Sequence, residues 1–188
     1  MSESLSLVIP ALIYLPAYRA ALEDGWSPDN LNGGAAARKE LGSIADDRCA
    51  FLASLEDREA IGEPILMPDG TTRKRLPSYQ RWLWDGEFCG SIAFRWQKGT
   101  ASLPSHVLGH VGFSVIPRKR GHGYAAKAVL ALLPDARALG LAHVDLAANP
   151  KNIASQRSIE RAGGNLIGSF TRDGAYGGGE GLLYRIVL

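Results

Sequence analysis

At 188 residues the chain is long enough for one domain and short for two. Its composition, 46% hydrophobic and 21% charged, is that of an ordinary globular protein and excludes a disordered or fibrous one. A net charge of +2 gives no reason to expect a nucleic-acid partner, and two widely spaced cysteines, Cys49 and Cys89, support neither a metal site nor a disulfide framework.

Residues 5–17 are largely apolar, yet Glu3 precedes them and Pro10 and Pro16 interrupt them. The run is too short to span a bilayer and lacks the basic start of a secretory signal, so the expectation is a cytoplasmic protein with no membrane partner. Residues 5–9 read as a first strand. After Pro10, Tyr14, Tyr18 and Leu22 recur at helical spacing. Asn32, Gly33 and Gly34 break the pattern, and residues 35 to about 59 read as helix, with Leu41, Ile44, Cys49, Leu52 and Leu55 as its buried stripe.

The period then changes. Residues 81–84 and 87–96 are aromatic and apolar runs around Asp85-Gly86, a hairpin signal suited to a type I′ turn. A further strand ends at Val115, starting at His106 or Gly109. Residues 124–139 read as a helix rich in Ala and Leu, in which Pro134 predicts a kink or a break. A strand over 142–147, a short helix over 153–162 closed by Gly163-Gly164, and strands over 165–171 and 182–188 complete the chain. A glycine-rich loop, 173–181, joins the last two. Hairpins mixed with a helical crossover imply an α/β (α+β) domain: a mixed, mostly antiparallel twisted sheet of six or seven strands with flanking helices.

The informative run is 109–125. An apolar strand delivers Arg118, Lys119, Arg120, Gly121, His122 and Gly123 to the start of an alanine-rich helix. Two glycines allow a tight turn and close approach of a ligand to the backbone. The amides of residues 120–125, as unpaired donors of a helix's first turn, form a seat for a pyrophosphate. A competing reading is the dinucleotide fingerprint, since Gly121, Gly123 and Ala126 match G-x-G-x-x-A and Asp145 follows at ribose distance. Against it, five residues separate Val115 from Gly121, three of them cationic, and only 62 residues follow Ala126.

Segment 109–164 resembles the acetyl-CoA-binding core of the GNAT superfamily of N-acetyltransferases. The shared pattern is an apolar strand, then Val-x-Pro-x-x-Arg-Gly-x-Gly (Val115, Pro117, Arg120, Gly121, Gly123), a long helix, a strand, and Asn-x-x-Ser (Asn152, Ser155) before a short helix. The resemblance implies one GNAT-like domain over 1–188, with residues 1–75 on the substrate side. It implies acetyl-CoA as cosubstrate, no metal, and a small-molecule or peptide amine as acceptor. Backbone groups near Phe113 and Val115 would meet the pantetheine arm and the acetyl carbonyl. Arg120, Gly121, His122, Gly123, Tyr124 and Ala125 would hold the pyrophosphate, and Asn152 and Ser155 would lie beside the arm, where both also suit helix capping. Many relatives place a tyrosine acid where Ile159 stands here, so Tyr176 and Tyr184 are the substitutes to examine.

Acyl transfer to an amine calls for a base. His110, on the strand that meets the acetyl group, is the first candidate, its other role being a strand anchor held by hydrogen bonds. Asp145 and Glu87 are the second, and Glu180 in the terminal loop a further group that an amine would meet. Trp84 and Trp96 are candidate walls of the acceptor pocket. With neither cysteine in the motif, direct attack by the amine is expected, without a covalent enzyme intermediate. The alternative is a non-catalytic acyl-CoA-binding or sensor module on the same fold. Pairing of the last strands would give a homodimer.

Overall fold

The structure, a computed structural model, describes residues 4–66, 70–172, 174 and 178–188. Strand β1 (Ser6–Val8) is followed by α1 (Leu15–Glu23), α2 (Gly33–Asp46) and α3 (Arg48–Ser54). Three two-residue strands come next: β2 (Glu56–Asp57), β3 (Ile65–Leu66) and β4 (Thr72–Arg73). The main sheet follows with β5 (Ser78–Trp84), β6 (Phe88–Arg95) and β7 (Val111–Val115). After α4 (Tyr124–Ala138) come β8 (His143–Ala148), α5 (Ile153–Arg161), β9 (Asn165–Thr171) and β10 (Glu180–Val187).

Strands β1, β5, β6 and β7 lie side by side, with β2 also on β5, while β8, β10 and β9 form a second sheet and β3 pairs with β4. Every pairing between these strands is antiparallel. The architecture is the mixed α/β one expected, with the sheet divided in two between β7 and β8.

Strand alternation sorts the side chains. Tyr79, Leu83, Ile92, Phe94 and Trp96 pack with Val129 and Leu132 of α4 and with Val144, Leu146, Tyr184 and Ile186 of the second sheet. On the opposite face Trp82 and Phe88 join Tyr18, Trp26, Ile44 and Phe51, covered by the N-terminal helices. Tyr18 stacks on Trp82 with ring centroids 4.4 Å apart. Offset aromatic stacking of this kind adds to the stability of simple area burial.

Several local expectations are corrected. The helix expected from 35 to 59 divides at Asp47, which is extended (φ −155°) and accepts hydrogen bonds from the Cys49 and Ala50 amides. That cap restarts the helix in a new phase, so Phe51 is buried and Cys49 exposed. The hairpin loop has three residues, because Trp84 pairs with Phe88 and the register shifts after Leu83. Gly86 alone in it has positive φ, 97°, whereas a type I′ turn needs two such residues. Helix α4 continues through Pro134 to Ala138.

Candidate functional site

A cleft of about 970 Å³ opens where the two sheets part. Gly109, Val111, Gly112 and Phe113 border it on one side, and Ala147, Ala148 and Asn149 on the other. Its floor is made by residues of the main sheet, Gln80 of β5 and the alternating Ser91, Ala93 and Arg95 of β6. The segment before α2 and Glu40 on α2 close the far side.

His110 fastens the closed end of this opening. Its amide donates to the Asp145 carbonyl at 2.7 Å, and its Nδ1 accepts the Asp145 amide at 2.9 Å. Gly109 permits the contact, since a Cβ there would stand 2.9 Å from the Asp145 carbonyl oxygen. His110 is fully buried, and burial pushes its pKa down to about 4. Its ring is thus a neutral strand anchor. Asp145 is engaged as well: Arg185, opposite it on β10, donates to both carboxylate oxygens at 2.7 and 2.9 Å. Neither residue lines the cleft, and a base is not found where the sequence placed it.

Strand β7 supplies an edge of donors. Its residues 110, 112, 114 and 116 bond to β6, as the contacts of His110 and Ile116 with Arg95 and Cys89 fix. The backbone groups of Phe113 and Val115 therefore face away from β6, and Phe113 borders the cleft. The Phe113 carbonyl accepts from Asn30 Nδ2 at 2.9 Å, and the Val115 carbonyl from Arg120 Nε at 3.1 Å. Among the described residues no hydrogen bond takes up either amide, so this edge presents N–H groups.

Past Val115 a single 3₁₀ turn, Pro117–Lys119, leads into the glycine turn. Gly121 and Gly123 have φ of 82° and 73°, and no atom lies within 4 Å of where a Cβ on either would stand. The turn is strained for any other residue and open to solvent. Gly123 precedes the first residue of α4, and no side chain caps that helix. Its first-turn amides have no partner within the helix. His122 is exposed, and its Nδ1 lies 2.9 Å from the Arg120 carbonyl. A carbonyl only accepts, so that nitrogen carries the proton and braces the turn.

The cationic triplet is less available than its sequence suggests. Lys119 lies 2.9 Å from both oxygens of Asp85 and 3.4 Å from Glu87, and Arg118 lies 3.4 Å from Glu87. Glu87 is thereby an ion-pair partner at the hairpin, outside the cleft. Asp85 also accepts the Tyr124 hydroxyl at 2.5 Å. Burial opposes its charge, but the bonds from Tyr124, Lys119 and Cys89 hold its carboxyl far below the usual range. The hub pins α4 to the hairpin. Tyr124 and Ala125 are buried, leaving backbone as what they offer a ligand.

Across the cleft, Asn152 caps α5 by accepting the Ser155 amide at 3.0 Å, and both residues line the opening. Ile159 is fully buried. Tyr184 is buried too, its hydroxyl 3.5 Å from Gln156 Oε1, and Tyr176 lies outside the described residues. Glu180 is exposed at the start of β10, away from the cleft; Trp84 packs on Tyr14 and Trp96 is core. Among the described residues no helix is long and apolar enough to cross a membrane.

Comparison with known proteins identifies the family and agrees with the fold. Residues 51–165 match the family model of the acetyltransferase (GNAT) domain, and the chain belongs to that family of acyl-CoA-dependent acetyltransferases. A search of curated proteins finds no match. Among solved structures, the ribosomal L7/L12 α-N-protein acetyltransferase RimL in complex with coenzyme A superposes with a TM-score of 0.64 at 13% identity, over 100% of this chain and 96% of that one. The microcin C7 self-immunity acetyltransferase MccE, with acetyl-CoA and AMP, gives 0.63 at 13% over 99% and 93%. An acetyltransferase of Agrobacterium tumefaciens gives 0.57 at 20% over 100% and 93%. At these identities the likeness is one of fold.

Proposed function

We propose that the protein is an N-acetyltransferase that passes the acetyl group of acetyl-CoA directly to a primary amine. The observation that carries this reading is the open turn of Gly121 and Gly123 between β7 and α4, which follows the strand whose Phe113 borders the cleft. A turn packed against protein would have left no room for an anion.

The residues present fit the cosubstrate. The amides of residues 121–125 and the exposed Arg120 would hold its pyrophosphate. Asn152 and Ser155 would flank its arm, and the amides of Phe113 and Val115 would polarise the acetyl carbonyl. When bound, acetyl-CoA supplies an activated acetyl thioester. The chain's own work is to bind it, to orient an amine against it and to keep the two at contact distance. The state of the thiols supports direct transfer. Cys89 is fully buried with its pKa pushed up to about 12, by burial first and Asp85 second, and Cys49 is remote on α3. No side chain is assigned as acid, because a thiol of pKa about 8.5 leaves without one. The acceptor is a small-molecule or peptide amine, a class consistent with the acceptor named for RimL.

A coenzyme A release assay tests the reading with a seryl peptide, Nα-acetyl-lysine, a free amino acid, spermidine and an aminoglycoside as acceptors. Turnover with one of them is expected. Tight acetyl-CoA binding with no turnover on any amine would replace the enzyme with a coenzyme-binding sensor.

A further inference from the structure

Direct transfer needs a group to take a proton from the acceptor ammonium, and neither His110 nor Asp145 reaches the cleft. Two carboxylates do, Asp29 and Glu40. Asp29 is already committed. It accepts the amides of Leu31 and Asn32 at 2.7 and 3.0 Å and the side chain of Asn32 at 2.7 Å. Burial opposes its charge, but these bonds prevail and hold its carboxyl below the usual range. Glu40 differs. The Tyr18 hydroxyl donates to its Oε2, and Glu40 lines the cleft.

We propose that Glu40 is the base of acetyl transfer and that Tyr18 is the residue that positions it. The assignment rests on the acetyltransferase reading above. Two contacts bring α2 to the reacting edge. The Ser114 hydroxyl donates to the Ser27 carbonyl at 2.8 Å, and Asn30 donates to the Phe113 carbonyl at 2.9 Å. The segment that leads into α2 is thereby fastened to the stretch of β7 that holds Phe113, at the border of the cleft. Burial raises the Glu40 pKa, Tyr18 lowers it and Asp29 raises it further, which makes the carboxylate a stronger base than an exposed one. The charged and titratable groups that share its side of the cleft are Tyr18 of α1, Asp29 and Arg95 of β6.

The step balances without another reactant. The acceptor ammonium gives one proton to the Glu40 carboxylate. The C–N bond then forms as the thioester C–S bond breaks, the second nitrogen proton passes to the departing sulfur through solvent, and Glu40 returns its proton to water.

The test uses the full-length protein with acetyl-CoA and the amine that gives turnover in the panel above. Glu40→Gln should lower kcat about 100-fold, with coenzyme affinity within about twofold of wild type, and should erase the acidic limb of the kcat/KM profile. Tyr18→Phe removes the positioning hydrogen bond, so it should lower kcat, though less than Glu40→Gln does, and move that limb to higher pH, because the lost bond favoured the charged carboxylate. A Glu40→Gln enzyme with wild-type rate and limb overturns the assignment. Should that variant fail to fold, an unmoved limb in Tyr18→Phe overturns it. Wild-type enzyme inert toward every amine removes the acetyltransferase reading itself, and the base with it.

Discussion

The imidazole of His110 accepts a backbone amide at Nδ1 while its ring is walled from water. Histidine is the residue a reader of sequence suggests for proton transfer near neutral pH, and its place on the strand before Val115 encouraged that suggestion. Burial decides otherwise. An unfolded chain takes up a proton here near pH 6.5, whereas the folded one resists until about 4. The folded pKa is the lower of the two, so the contribution to stability is full above pH 6.5 and is lost as pH falls from 6.5 toward 4. Urea midpoints at pH 7 and pH 5 check this. Wild type should lose stability between them, and His110→Asn should lose less, since the Asn oxygen still accepts the Asp145 amide and has no proton to gain. Equal losses in both proteins would show that His110 does not titrate as its burial requires.

At the scale of elements, legibility followed how local the cause was. Strand β8 and helix α4 were readable because alternation and alanine-rich periodicity act over a few residues, and the glycine turn because φ of 82° and 73° and a helix start are properties of adjacent residues. The division of the second helix at Asp47 turned on one capping carboxylate, and β2, β3 and β4 are two residues each, too short to show a period. The fate of Arg118 and Lys119 was not readable, because Asp85 and Glu87 reach them from the hairpin through the fold. Glu40 was missed for the same reason: α2 meets the cleft only through contacts more than eighty residues apart in sequence. The turn gives a clean prediction. Gly123→Glu must hold φ near 73° at a cost of about 1–2 kcal/mol, and it sets a carboxylate over amides that would otherwise meet phosphate. The variant should fold, with a Tm a few degrees lower, and lose coenzyme A binding by at least a hundredfold in calorimetry. Retained micromolar affinity would move the pyrophosphate elsewhere.

At the centre of the molecule two sheets are joined at one end and open at the other. His110 and Gly109 close the seam, while Asn152 and Ser155 from one side and the β7 edge from the other line its mouth. A ligand lying in the seam touches groups that the folding of both sheets must assemble, so it has no binding partner in the unfolded chain. Binding then stabilises by mass action, about 2.7 kcal/mol at a hundred times Kd. For a chain of 188 residues this corresponds to a rise in Tm of roughly 5–10 °C. Acetyl-CoA should produce that rise in a thermal-shift titration. NAD should leave the midpoint unmoved, because β7 and β8 part here instead of continuing a parallel sheet with a second nucleotide-binding half. A comparable rise with NAD would mean that the turn accepts any pyrophosphate and that the seam contributes nothing to selection of the acyl carrier.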